Sequence, residues 1–262
     1  MPLQYTTALD ALPLWGLFLI VIFVVLASIE GGFRLGLRRS QSAREKDAPV
    51  GAMVGSTLGL LAFMLAFTFG MAASRFDIRK SLVLDEANAI GTTYLRAAML
   101  PEGRVEVEGL LRDYVDARLA AVRTGIVSDG LRKSEELQAR LWTQAVAAGQ
   151  QHPNSIVVGL FVESLNEVID LHAKRVAAGL RNRIPGTIWA ALFAITVVSL
   201  GAMGYHSGLA SATRSLAVIA VAFAFSAVIA LVIDLDRPQE GFLTVSQQPL
   251  IDVRQSMNPP TP

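Results

Sequence analysis

Four apolar runs leave this chain few folds to choose from. They cover residues 12–29 ("LPLWGLFLIVIFVVLASI"), 50–74, 185–205 and 216–233. A helix crosses the roughly 30 Å hydrocarbon core of a bilayer in about 20 residues, at about 1.5 Å each. The first and fourth runs, 18 residues each, just reach across, the third does so fully, and the second exceeds what the lipid needs. Each one predicts a membrane-spanning helix. The composition agrees: 52% of the 262 residues are hydrophobic and 17% are charged, against about a quarter charged in an ordinary soluble domain. The first run has no Lys or Arg before it and "RLGLRR" after it. That order predicts an anchor that stays in place, since a cleaved leader carries its positive charge in front.

Several function classes drop out early. Net charge is +1, so nucleic acid has no electrostatic claim on the chain. There is no cysteine, which removes disulfides, thiolate chemistry and thiolate metal sites. His152, His172 and His206 share no ligand spacing, so no metal is expected. Asp85 and Glu86 in "LVLDEANAIGT" are adjacent and point about 100° apart on a helix, so they cannot act as a facing acid/base pair. "GSTLG", residues 55–59, reads as small-residue helix packing, not as a phosphate loop. Asp234 and Asp236 read as interfacial carboxylates at the end of the fourth run. His172 reads as a packing or helix-surface residue. No catalytic motif, enzyme activity or cofactor is expected.

The expected organisation is all-α and a single domain over residues 1–262. Two spans come first, then a soluble helical region at 75–184, two more spans, and an extended tail at 234–262. Residues 31–49 are expected to form a short basic loop. In the soluble region, Leu111, Val115, Leu119 and Val122 fall on one helical stripe. Ile156, Leu160, Leu165, Val168, Ile169 and His172 fall on another, and Ser155 stands where a helix would begin. No Gly or Pro linker separates Ser74 from Arg75, so the second span should run into the soluble layer without a break. Basic residues flank the spans on both sides, and the positive-inside rule gives no orientation.

The stretch "LAFTFGMAASRFDIRK", residues 65–80, passes from apolar to charged within that one helix. It resembles the second membrane helix of bacterial bestrophins, through Leu65, Ala66, Phe67, then Ser74, Arg75, Phe76, Asp77 and Arg79. The tail resembles the segment after the last span of those proteins, through Asp236, Pro238, Gly241, Pro249 and Leu250. With "DEANAIGTTYLRA" and "LDRPQEGF", the chain from Glu30 to Met257 is similar to the bestrophin-like membrane family. Bestrophins are homopentameric anion channels, so the resemblance implies a homo-oligomer, a homopentamer in that family, conducting small inorganic anions passively across the inner (plasma) membrane. It implies a pore neck at Gly59, Phe63 and Phe67, where the glycine departs from the family's apolar side chains. It also implies a charged vestibule or inter-helix pairing at Arg75, Asp77 and Arg79, a tail motif of Asp234, Asp236, Arg237, Pro238 and Gly241, and a cytoplasmic middle region and termini. The acidic calcium run of animal bestrophins is absent, leaving only Glu240. The competing reading is a non-conducting sensor or scaffold whose helical region binds a partner.

Overall fold

A computed structural model of the chain describes residues 12–40, 49–124, 127–210, 216–237 and 241–258. Helix accounts for 87% of the structure, and no strand occurs among the described residues. In chain order the helices are α1 (Leu14–Arg39), α2 (Val50–Ala97), α3 (Arg104–Thr124), α4 (Val127–Gln151), α5 (Ile156–Val176), α6 (Gly186–Leu209), α7 (Leu216–Asp236) and α8 (Gln248–Ser256). A π-helical turn, Ala177–Arg181, follows α5 directly. Four stretches, containing α1, α2, α6 and α7, are long and apolar enough to cross a membrane. The protein is an all-α, four-span membrane protein.

Chain contacts divide it into two compact units. One comprises residues up to Arg75 together with Arg183–Leu243, and holds the four apolar runs. The other comprises Phe76–Asn182 and the segment from Thr244.

In the first unit, α1 buries Leu17, Val21, Val25 and Ile29 at intervals of about one turn, followed by Gly32 and Gly36. Gly32 and Gly36 of α1, and Gly204 and Gly208 of α6, lie against the opposite helix: Gly36 meets Gly208, Gly32 meets Gly201, and Gly204 meets Ile29. A Cβ on Gly36 would stand 2.9 Å from the Leu209 nitrogen, and one on Gly204 would stand 2.9 Å from the Ile29 carbonyl carbon. Both pairs are Gly-x-x-x-Gly, the spacing that lets two helix backbones touch. In "GSTLG" the contact with another membrane helix runs through Thr57 and not the glycines, since a Cβ on Gly55 or Gly59 would meet nothing within 4 Å. The close approach is made by other glycines. Ser199 of α6 also donates to the Thr57 carbonyl of α2 at 2.9 Å.

In the second unit, the C-terminal half of α2 packs with α3, α4, α5 and α8 around Ile90, Leu111, Leu141, Phe161, Leu165 and Leu250. Ser155 caps α5 by accepting from the Val158 amide, as its position predicts.

Four boundaries differ from expectation. Residues 31–39 are helical, because α1 continues to Arg39; an i,i+4 ion pair, Arg34 to Glu30 at 2.7 Å, ties its last turns together. The tail is not wholly extended: α8 forms with Pro249 in its first turn, where a missing N–H costs nothing. Ile156 and Val122 point outward, and Leu160 is also exposed; Phe161 and Leu171 take the inner places on α5. The chain between α5 and α6 is also more broken than a lone proline would make it, since residues 182–185 are not helical.

Candidate functional site

The helix α2 is one uninterrupted element of 48 residues. At about 1.5 Å per residue it rises about 72 Å, so it needs only part of its length for lipid. No Gly-Pro pair or β-branched cluster stops it, and the side chains simply change character from Ser74 onward. Between residues 59 and 72 its two faces differ. Leu61, Leu65, Thr68 and Ala72 are buried by the chain. Gly59, Phe63 and Phe67 lie on the outward face. Phe63 is 65% exposed and Phe67 54% exposed. They recur every four residues and so form one stripe. Beyond the stripe, Arg75 is half-buried, Asp77 is exposed and Arg79 is buried. The Arg79 guanidinium lies 6.0 Å from the centroid of the Phe76 ring.

The tail motif folds into a knot at the end of α7. Asp234 accepts from the amides of Phe242 at 3.0 Å and Leu243 at 3.1 Å, one on each carboxylate oxygen. Asp236 accepts from the Ile184 amide at 3.0 Å and from Arg183 Nε at 3.1 Å. Arg237 donates to the Leu12 carbonyl at 2.6 Å. Gly241 has φ +143°, a conformation L side chains avoid, and a Cβ there would strike the Asp234 carboxylate. The three charged residues are buried, so the interfacial reading of the two aspartates is corrected. They close the tail back onto the start of α6, and the carboxylates serve as hydrogen-bond acceptors for backbone that would otherwise be unpaired. Pro238 and Glu240 lie outside the described residues.

A third cluster went unrecognised in the sequence. Glu86 is fully buried at 0% exposure, while its neighbour Asp85 is exposed. Glu86 Oε1 accepts from the Tyr114 hydroxyl at 2.7 Å and lies 3.3 Å from Arg118 Nε. Its other oxygen pairs with Arg175. Arg175 also donates to Gln247 at 3.1 Å. Gln138 donates to the Tyr114 oxygen at 3.3 Å, and His172 Nδ1 lies 3.1 Å from the same atom. This hub joins α2, α3, α4, α5 and the tail through one carboxylate. It lies well past the apolar part of α2, in the unit that starts at Phe76.

Burial pushes the Glu86 carboxyl up, but Arg118, Arg175 and the Tyr114 hydrogen bond together outweigh it and hold the carboxyl below its usual range. Burial and the Glu86 charge drive the Tyr114 hydroxyl upward, so it stays protonated. Burial, then the Arg118 charge, lowers His172 to about 4. The hub is therefore a neutral imidazole, a neutral phenol, one carboxylate and two guanidiniums. Among the described residues no three His, Cys, Asp or Glu side chains gather as a metal site.

The sequence does contain the signal for this hub. Glu86 falls in register with Val83, Ala87 and Ile90 on the apolar stripe of α2, and Arg118 falls in register with Leu111 and Val115 on α3. A charge inside an apolar stripe predicts a buried partner.

No curated protein and no solved structure matches the chain. The family comparison is different in kind, because it spans most of α1, the two-faced α2, the hub and the tail knot together: the model described as Bestrophin-like domain matches residues 20–250, and the chain belongs to the bestrophin-like family.

Proposed function

We propose that the protein is a homo-oligomeric, passive channel for small inorganic anions in the plasma (inner) membrane, with its termini and middle helices on the cytoplasmic side. The observation that carries this reading is the outward stripe of α2. An oligomer of this chain could bring that stripe to its axis. Phe63 and Phe67 would then ring a narrow, dry neck, and hydrophobic constrictions of that kind gate by dewetting. A phenyl ring has a positive edge, so edges turned inward favour an anion with no fixed charge in the neck. Arg75, about two turns past Phe67 on the same helix, would place positive charge at one mouth, where it concentrates anions before they enter. Gly59 leaves the other mouth wide.

The test is chloride flux into liposomes containing the purified protein. Wild type should conduct above empty liposomes. The Phe63→Ala/Phe67→Ala protein should conduct faster or with less gating. Absence of flux from both proteins, each correctly assembled, would sink the channel reading. It would leave a membrane scaffold or sensor whose helical unit binds a partner.

A further inference from the structure

The Tyr114 hydroxyl fixes the protonation of its neighbour by counting alone. It has one hydrogen, which goes to Glu86 Oε1 at 2.7 Å. Its oxygen accepts from Gln138. The contact with His172 Nδ1 must then be a second bond accepted by that oxygen, with Nδ1 as the donor. Neutral His172 therefore carries its proton on Nδ1, and Nε2 holds a lone pair. Nε2 is buried and has no hydrogen-bond partner among the described residues.

Protonation at Nε2 would create a buried N–H with no acceptor and a third positive charge beside Arg118 and Arg175. Every element packed against the imidazole contributes to this balance. Glu86 faces it from α2, at 4.0 Å. Tyr114 and Arg118 face it from α3, and Gln138 reaches it through Tyr114 from α4. Arg175 follows one turn later on α5, held in place by Gln247 of the tail. Asp170 and Lys174 are exposed. One carboxylate would then face three cations.

The end of α5 is built to yield. The π-helical turn Ala177–Arg181 starts two residues after Arg175. The helix does not resume directly after it, since Asn182 is not helical. Single π-helical turns are rare and are frequent at functional positions.

We propose that His172 and the π-helical turn behind it form an acid-released hinge: a proton taken up at Nε2 uncouples the end of α5 from Glu86, and residues 177–182 absorb the movement. The hinge is a property of the helical unit and stands apart from ion conduction. Its size follows from the two protonation states. With His172 moved from its ordinary 6.5 to about 4 by its surroundings, the open form binds the proton more tightly. The opening equilibrium then rises about 30-fold between pH 7.5 and pH 5.

Hydrogen exchange on the full-length protein in detergent, corrected for the intrinsic pH effect, reads this directly. Peptides covering residues 165–182 should open about 30-fold more at pH 5. In His172→Gln, which keeps a neutral donor toward Tyr114, the rise should fall below about 2-fold. A wild-type protein with no rise, or a His172→Gln protein with the same rise, overturns the hinge. The His152→Gln/His206→Gln protein keeps His172 as its sole imidazole and should show the full rise. Labelled with ¹³C-histidine, it must titrate well below 6.5; titration at or above that value overturns the proposal whether or not His172→Gln folds.

Discussion

Two arginines share the Glu86 carboxylate, so its loss is felt on both. Glu86→Gln leaves two buried guanidiniums with no counter-charge. Removing one partner of a buried pair typically costs about 3–5 kcal/mol, and chemical unfolding in detergent should show a loss of that order. Tyr114→Phe is a milder change. It strips Gln138 and His172 of their shared acceptor and Glu86 of one donor, which should cost roughly 1–3 kcal/mol. A silent Tyr114→Phe would mean the hydroxyl is solvated and the hub is not closed. These residues are only partly legible in the sequence. Asp85 and Glu86 look alike as letters, and adjacency correctly rules them out as a facing pair. Their fates differ because Asp85 leaves the apolar stripe of α2 and Glu86 stays on it. The partners Tyr114, Arg118 and Arg175 stand 28, 32 and 89 positions away in the chain. Nothing local to Glu86 names them.

Between elements, the contact of α1 with α6 rests on backbone meeting backbone. Gly36 and Gly208 stand against each other: a Cβ on either would lie 3.0 Å from the other's Cα. Gly36→Leu should force the helices apart and destabilise the membrane unit by about 1–3 kcal/mol or more, as overpacking does. Gly55→Ala is the matched control. Its Cβ would meet nothing within 4 Å of its own chain, so folding of the single chain should be unaffected. If Gly55→Ala nevertheless changes the size of the assembled particle, that face is an interface between copies. The spacing of both glycine pairs can be read from the sequence. Which pair has a neighbour cannot, because a small residue permits an approach without supplying the helix that makes it. The uninterrupted α2 was legible for the opposite reason: continuity needs only the absence of breakers, and that is a local property. The tail knot was half legible. Its glycine and aspartates are conspicuous, but the amides that Asp234 accepts belong to residues with no distinguishing side chains.

At the scale of the whole molecule, membrane orientation is a matter of charge, and charge is nearly balanced here. Arg34, Arg38 and Arg39 follow the first span, while Arg75, Arg79 and Lys80 follow the second. Four crossings put both chain ends on one side, together with the residues between the second and third crossings. The bestrophin-like reading makes that side the cytoplasm. The absence of cysteine makes this directly measurable, since a single introduced thiol is the only one present. Ser42→Cys lies between the first two spans. Ser128→Cys lies on an exposed position of α4. An impermeant thiol reagent added outside intact cells should label Ser42→Cys and leave Ser128→Cys unmodified until the membrane is opened. The reverse pattern would place the Glu86 hub and its histidine outside. The proposed orientation would then fail, and Arg75 would stand at the outer mouth of any pore, drawing anions from the opposite side. Labelling of both thiols before lysis would indicate mixed insertion, which is the outcome a near-equal charge on the two sides allows.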